Sequence, residues 1–356
     1  MKILILTKYD NHKNDATVGT YNNVFKCLSN CFGSNNIDVF QFPKPSAYTF
    51  VKSLIFRTPF CETWQVRREM KRIACEKYDF VFCMSSLFLE YIHKFFRSQK
   101  TIVYFQNIEQ KYYRDKFEIT RTLGNKKLYS YITRIESNIT ELNSKIIVLN
   151  ERDNGELLKL YGKKADLVLP ISFSKIDQTY LKSLITNNDE KYVLFLGSNF
   201  YANQQGIKWF LDNVSPYIRF KVYVVGDCCN YIRQFNYDES KVILLGYVED
   251  FAKTMVNASA VVCPIFSGSG MKTKTIEALR YGKIVFGTNE AFAGIYETAD
   301  GLFLCNQANE FIIGLEKLFD STEDSKFNSS SYNLFMENYS FEAFEETLSN
   351  FMKELH

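Results

Sequence analysis

Two rhythms of apolar and polar residues take turns along this chain. Short, nearly continuous apolar runs fall at 2–7, 37–41, 79–83, 101–105, 145–149 and 166–169. Between them, near 20–31, 62–77, 86–97, 126–143 and 151–161, apolar residues recur every third or fourth position. The first rhythm predicts buried strands and the second amphipathic helices. After Pro170 and the polar run 183–190 the alternation begins again. Strands are predicted near 191–196, 221–226, 241–245, 260–264, 283–287 and 302–305, with helices near 203–214, 249–257, 272–281 and 307–319. A last helix near 340–354 carries Phe341, Phe344, Leu348, Phe351 and Met352. Such alternation predicts an α/β fold with parallel sheets and helices on both faces. Two Rossmann-like domains are expected, at 1–172 and 173–339, with ligands held at the carboxyl ends of strands facing a central cleft.

Composition narrows the class without changing it. A chain of 356 residues is long for one core and suits two domains. With 46% hydrophobic residues it is globular rather than disordered. The nine cysteines lack paired metal spacing and read as reduced, mostly buried thiols. His12, His93 and His356 are isolated and give no zinc site. The start Ile3-Leu4-Ile5-Leu6 is too short for a signal sequence and reads as the first strand. No run approaches the roughly 20 apolar residues of a membrane span, so the expected location is the cytoplasm, free or on the inner face of its membrane.

Charge is divided unevenly. Residues 1–175 hold 28 Lys+Arg against 17 Asp+Glu, a net +11. The remainder holds 15 against 23, a net −8, for +3 overall. The first half is thus expected to face an anionic partner. No nucleic-acid recognition motif accompanies the charge, so nucleic acid is not the expected partner. Within 47–72, Lys52, Arg57, Arg67, Arg68, Lys71 and Arg72 interleave with Phe50, Leu54, Ile55, Phe56, Phe60 and Trp64. A basic helix with an apolar face can lie on an anionic membrane; the same pattern also suits a domain helix whose apolar face is core.

Candidate chemistry concentrates in 259–288. A strand ending at Val262 runs into Ser267-Gly268-Ser269-Gly270, and a helix opens around Met271–Thr273. Two glycines let backbone N–H groups approach a ligand, and the helix N-terminus behind them carries partial positive charge. Lys272 and Lys274 add mobile charge, and Glu277, one turn in, can accept hydrogen bonds from a ribose diol. The pattern is that of a phosphate cradle for a nucleotide, against the alternative of an ordinary strand–helix turn.

This stretch resembles the donor-binding signature of family-4 glycosyltransferases, which have the GT-B fold. Gly197-Ser198-Asn199-Phe200-Tyr201-Ala202-Asn203, with Gly206 and Trp209-Phe210, resembles the segment opening that family's second domain. Gly246-Tyr247-Val248-Glu249-Asp250 resembles its nucleobase turn, and Gln106-Asn107-Ile108-Glu109 its His-Asn-x-Glu. Glu136 and 148–153 also find counterparts. The resemblance implies a retaining, metal-independent glycosyltransferase with no cofactor, using a nucleotide diphosphate sugar and a growing or lipid-linked glycan. It implies Glu277 at the ribose and Gly268, Ser269, Gly270, Met271, Lys272 and Lys274 at the diphosphate and sugar. Gly197, Ser198, Tyr247 and Val248 complete the donor site, while Gly19, Thr20, Asn107 and Glu109 line the acceptor side. The final helix is expected to return to the first domain.

Three places depart from the family pattern. Ser269 stands where a glutamate often touches the donor sugar, and Gln106 where relatives often have histidine. Ser198 and Gln205-Gly206 replace the usual Arg/Lys pair, which leaves Lys274, then Lys272, as the best phosphate cations; Lys208 is expected to point away along its own helix. Lys274, Gln106 and Ser269 are therefore the candidate catalytic residues. The same departures suit a non-catalytic GT-B binding partner of an active transferase, and a GT-B epimerase is a third reading. Simple helix caps also account for Glu109 and for the turn 15–20.

Overall fold

The computed structural model describes residues 1–8, 16–186, 190–268, 270–295, 300–321 and 326–355, with backbone alone at 16–18. The chain divides into two compact units, Met1–Ser172 with Phe344–His356, and Phe173–Ala343.

In the first unit the strands are β1 (Ile3–Lys8), β2 (Ile37–Phe42), β3 (Phe80–Cys83), β4 (Thr101–Phe105), β5 (Lys145–Val148) and β6 (Leu167–Val168). They form one parallel sheet in the order β2-β1-β3-β4-β5-β6. β3 and β4 are buried throughout, which is why they read as continuous apolar runs. The helices are α1 (Ala16–Phe32), α2 (Ala47–Phe56), α3 (Trp64–Ala74), α4 (Leu89–Phe95), α5 (Glu109–Thr120), α6 (Leu123–Ser137) and α7 (Glu151–Tyr161).

α1 starts earlier than its apolar periodicity suggests. Gly19 and Thr20, expected in a turn ahead of the helix, lie inside it, Gly19 exposed and Thr20 buried. The expected helix 126–143 is α6 followed by a short 3-10 turn, Asn138–Glu141.

Segment 47–72 is two helices rather than one. The Ser46 Oγ caps α2 by accepting from the Thr49 N–H at 3.1 Å, and Arg57 ends it in the left-handed region. Thr63 caps α3 in the same way, through the Val66 N–H. α3 buries Val66, Met70 and Ile73 in the first core and leaves Arg67, Arg68, Lys71 and Arg72 outside. Its apolar face is therefore core. α2 instead turns Tyr48, Val51, Ile55 and Phe56 to solvent.

The second unit contains α8 (Gln178–Ser183), β7 (Tyr192–Leu196), α9 (Tyr201–Asn213), β8 (Lys221–Val225), α10 (Cys229–Ile232), β9 (Val242–Gly246), α11 (Phe251–Asn257), β10 (Ala260–Cys263), α12 (Thr273–Arg280), β11 (Val285–Gly287), β12 (Leu302–Leu304), α13 (Ala308–Asp320) and α14 (Ser329–Asn338). Its sheet is also parallel, in the order β12-β11-β10-β7-β8-β9. Strand order reverses between β7 and β10, and a crevice at the carboxyl ends of such a pair is where open α/β sheets bind ligands. Gly206 lets α9 lie directly on the chain leaving β10: a Cβ there would sit 2.1 Å from the Pro264 carbonyl oxygen.

α15 (Phe341–Leu355) closes the chain. Its Ser349 hydroxyl lies 3.5 Å from Cys27 Sγ and 3.0 Å from Cys31 Sγ, and its Glu345 carboxylate accepts from the Asn30 amide at 2.6 Å. Phe344, Leu348 and Met352 are buried. The C-terminal part of α15 thus packs on α1.

Candidate functional site: a glycine turn at the switch point of the second sheet

The loop after β10 and the loop after β7 meet where the strand order reverses. Gly268 and Gly270 hold φ of +126° and +67°, values that a residue with a Cβ rarely adopts. They turn the chain into the N-terminus of α12. Lys272 stands at the N-cap and supplies no side-chain cap, and the first turn carries no acid. The helix dipole therefore meets no carboxylate of its own first turn there. Met271 is buried beneath the turn. Ser269, expected at the donor sugar, lies outside the described residues.

The two lysines are placed differently. Lys272 Nζ donates to Glu290 Oε1 at 2.6 Å and to the Gly270 carbonyl at 3.3 Å, so it braces the turn. Lys274 reaches inward. Its Nζ donates to Asn203 Oδ1 and lies 5.0 Å from the centre of the Phe195 ring. Burial lowers its pKa to about 8, against the opposing pull of the Cys263 and Cys228 thiols. The Asn203 amide in turn donates to the Ser198 carbonyl at 3.1 Å and to the Ser198 hydroxyl at 3.2 Å. One asparagine thereby ties the loop after β7 to the lysine on α12. Gly197, leaving β7, has no room for a side chain: a Cβ would meet Phe195 at 2.7 Å and Cys228 Sγ at 2.8 Å.

Glu277 is half-buried one turn into α12, 3.6 Å from Arg280 Nη1; burial raises its pKa and Arg280 opposes the rise. Tyr247 and Val248 follow β9, two strands from β7, about 10 Å away at ordinary strand spacing. Tyr247 is 88% exposed, while Val248 packs on the second core. Lys208 pairs with Asp212 at 2.6 Å along its own helix, away from this group.

In the first unit, Gln106 and Asn107 follow β4, and Glu109 opens α5. The Gln106 Nε2 is buried with no hydrogen-bond partner among the described residues. The Glu109 pKa is raised to about 7, chiefly by burial and then by the Glu136 charge, while Lys8 and Asn107 oppose the rise. Glu136 is fully buried and accepts four hydrogen bonds: from Ser86 Oγ at 2.6 Å, the Glu109 N–H at 3.0 Å, the Gln110 N–H at 2.7 Å and Tyr161 OH at 2.9 Å. Its role is to hold the start of α5. Asn150 and Asp153 form a buried cap on α7, the Asp153 N–H donating to Asn150 Oδ1 at 2.9 Å.

Asn203 and Glu290 are the members that motif reading did not assign. Asn203 was visible only as a letter of the segment after β7. Glu290 carries no sequence signal, because its partner Lys272 lies on a different loop.

Comparison with known proteins agrees with this geometry. Residues 190–321 match the family model described as Glycosyl transferases group 1. No curated protein sequence matches the chain. Among solved structures, the lipopolysaccharide outer core galactosyltransferase WaaB in its apo form is 15% identical, with TM-score 0.69 over 99% of this chain and 100% of that one. HepE of Anabaena in complex with UDP is 14% identical, with TM-score 0.68 over 99% and 100%. WaaG, a glycosyltransferase involved in lipopolysaccharide biosynthesis, is 12% identical, with TM-score 0.64 over 99% of each chain. Identities this low carry the fold rather than the substrate. The fold is that of GT-B glycosyltransferases, and the match to the group 1 glycosyl transferase model lies in the second unit.

Proposed function

We propose that this transferase takes a sugar from a nucleotide diphosphate donor and passes it, with retention and without a divalent cation, to a growing or lipid-linked glycan of the polysaccharide, capsule or lipopolysaccharide type. The observation that carries the reading is the meeting of three features at one switch point: the glycine turn, the uncapped α12 and Lys274 held by Asn203. HepE has been solved with UDP and with UDP-glucose on the same fold, which supports a donor of this class.

As the glycosidic bond of the donor breaks, negative charge grows on the leaving diphosphate, and stabilising that charge is the main catalytic demand. The α12 dipole and the Lys274 ammonium are this chain's groups for the task. Glu277 accepts the ribose hydroxyls, and the Tyr247–Val248 turn takes the base. Gln106 cannot accept a proton, so in this reading the acceptor's proton passes to the leaving phosphate. Among the described residues no group of three or more His, Cys, Asp or Glu is arranged to hold a metal ion. No helix among the described residues is long and apolar enough to cross a membrane, so a lipid-linked acceptor would be met from the membrane surface.

A screen of nucleotide sugars for thermal stabilisation identifies the donor, because a ligand of the folded state alone raises stability by RT ln(1+[L]/Kd). With that donor, turnover should persist in excess EDTA and the product should keep the donor's anomeric configuration by NMR. Stabilisation without transfer or donor hydrolysis would mark a binding protein instead; epimerised nucleotide sugar would mark an epimerase.

A further inference from the structure

One surface of the first unit is left unexplained by donor chemistry. α2 exposes a strip of large apolar side chains, with Ile55 65% and Phe56 70% accessible, and Leu123 at the start of α6 is 79% accessible. A groove of about 800 Å³ is lined by residues of these two helices. Leu54, Ile55 and Leu123 form its apolar lining. Arg57, Lys126, Lys127 and Arg134 form the cationic part, and no acid is among the described residues that line it.

The cations are largely uncommitted. Arg57, Lys126 and Lys127 make no ion pair among the described residues. Arg134 is held in place by Glu90 through Nη1 and by the Tyr131 ring 5.4 Å away. Its Nε and Nη2 are nevertheless buried without a hydrogen-bond partner among the described residues. The groove thus gathers four cationic side chains, which favours an anionic oxygen from outside the chain. Soluble surfaces seldom leave so many large apolar side chains together without a partner. Cations beside an apolar strip match the headgroup and acyl boundary of an anionic bilayer.

We propose that the α2–α6 groove seats an anionic phospholipid of a membrane surface. The lipid phosphate lies against Arg134, Lys126 and Lys127, and Ile55, Phe56 and Leu123 enter the acyl boundary. α3 contributes long-range attraction only, because its apolar face is already core. The inference extends the lipid-linked acceptor of the proposed function, but vesicle binding is measured without turnover, so the two readings fail separately.

The test is co-sedimentation of the full chain with phosphatidylcholine vesicles, with and without phosphatidylglycerol. Binding should need the anionic lipid. Ile55→Glu with Phe56→Glu should lower it at least about tenfold at every salt concentration, because apolar insertion is not screened. Lys126→Ser with Lys127→Ser should lower it roughly 10–25-fold at low salt and less at high salt, at about 1 kcal/mol per cation. Arg67, Arg68, Lys71 and Arg72 changed together to Ser should remove salt-sensitive attraction while leaving binding at high salt. All these side chains are exposed, and unchanged melting of each variant confirms that folding is intact. Equal binding to neutral vesicles, or full binding by the Ile55/Phe56 variant, overturns the proposal. So does complete displacement by millimolar inorganic phosphate, which would make the groove a free-anion site. A dimer that the Ile55/Phe56 variant dissolves, with no vesicle binding by the parent, would assign the face to a second copy of this chain.

Discussion

Two helix N-termini, one in each unit, show how similar parallel sheets come to do different work. α5 opens after β4, and its first two N–H groups are occupied by Glu136, a buried carboxylate from α6. α12 opens after β10 with no side-chain cap, no acid in its first turn and a glycine turn in front. In the first unit the protein supplies the anion itself. In the second, neither the N-cap side chain nor an acid of the first turn takes that place, and Lys274 lies in the same turn. The same dipole therefore stabilises the fold in one unit and makes a candidate ligand site in the other.

Removing the cation should give the largest effect. Lys274→Ala should lower turnover by about 10²–10³, the usual loss for one stabiliser of leaving charge. Single-turnover kinetics with the identified donor measures this, and Lys274→Arg should recover part of it. A rise in KM with turnover intact would show that the lysine binds the donor equally in ground and transition states.

Glu136→Ala probes the other side of the comparison. It strands four donors in the first core and should cost about 2–4 kcal/mol of stability in urea melts. Nucleotide affinity by calorimetry should stay unchanged, since the donor residues belong to the second unit; a parallel loss of affinity would refute the division of labour. Glu277→Ala reverses that signature, weakening nucleotide binding by about 1.5–3 kcal/mol with melting intact.

The smallest expected effects are in pH dependence. Glu109 has a folded pKa of about 7 against an ordinary 4.5, so the folded state binds more protons between those values. Its contribution to stability is present below the lower value and is lost as pH rises toward the higher one. The slope should amount to about 1–2 kcal/mol after solvent screening, and Glu109→Gln should flatten it. Lys274 is shifted the other way, to about 8 from 10.5, so the folded state holds fewer protons between those values and its linkage raises stability with pH there. Activity runs opposite. The charged form is lost above about pH 8, so kcat/KM should fall there, and a profile flat to pH 10 would remove Lys274 from the chemistry.

Much of this was legible along the chain because it is local. Buried parallel strands are continuous apolar runs, and a turn that needs two positive φ values writes itself as glycines 268 and 270. The uneven charge of the halves and the placing of Glu277 one turn into a helix follow from counting alone. The misses also have physical reasons. α2 was not separated from α3 because its apolar residues face solvent and break the periodicity that burial imposes. α1 begins at Ala16, ahead of the start near residue 20 that periodicity predicts, which placed Gly19 and Thr20 inside the helix. By itself, then, the sequence determined two stretches of alternating strand and helix, a glycine turn ahead of α12 and a basic first half. Only tertiary structure decided that Asn203 would hold Lys274 across 71 residues, that Glu290 would engage Lys272, that Glu136 would fill one helix terminus, and which apolar strip stayed outside. Those pairings depend on which strand ends become neighbours, and neighbours far apart in sequence leave no periodic trace in it.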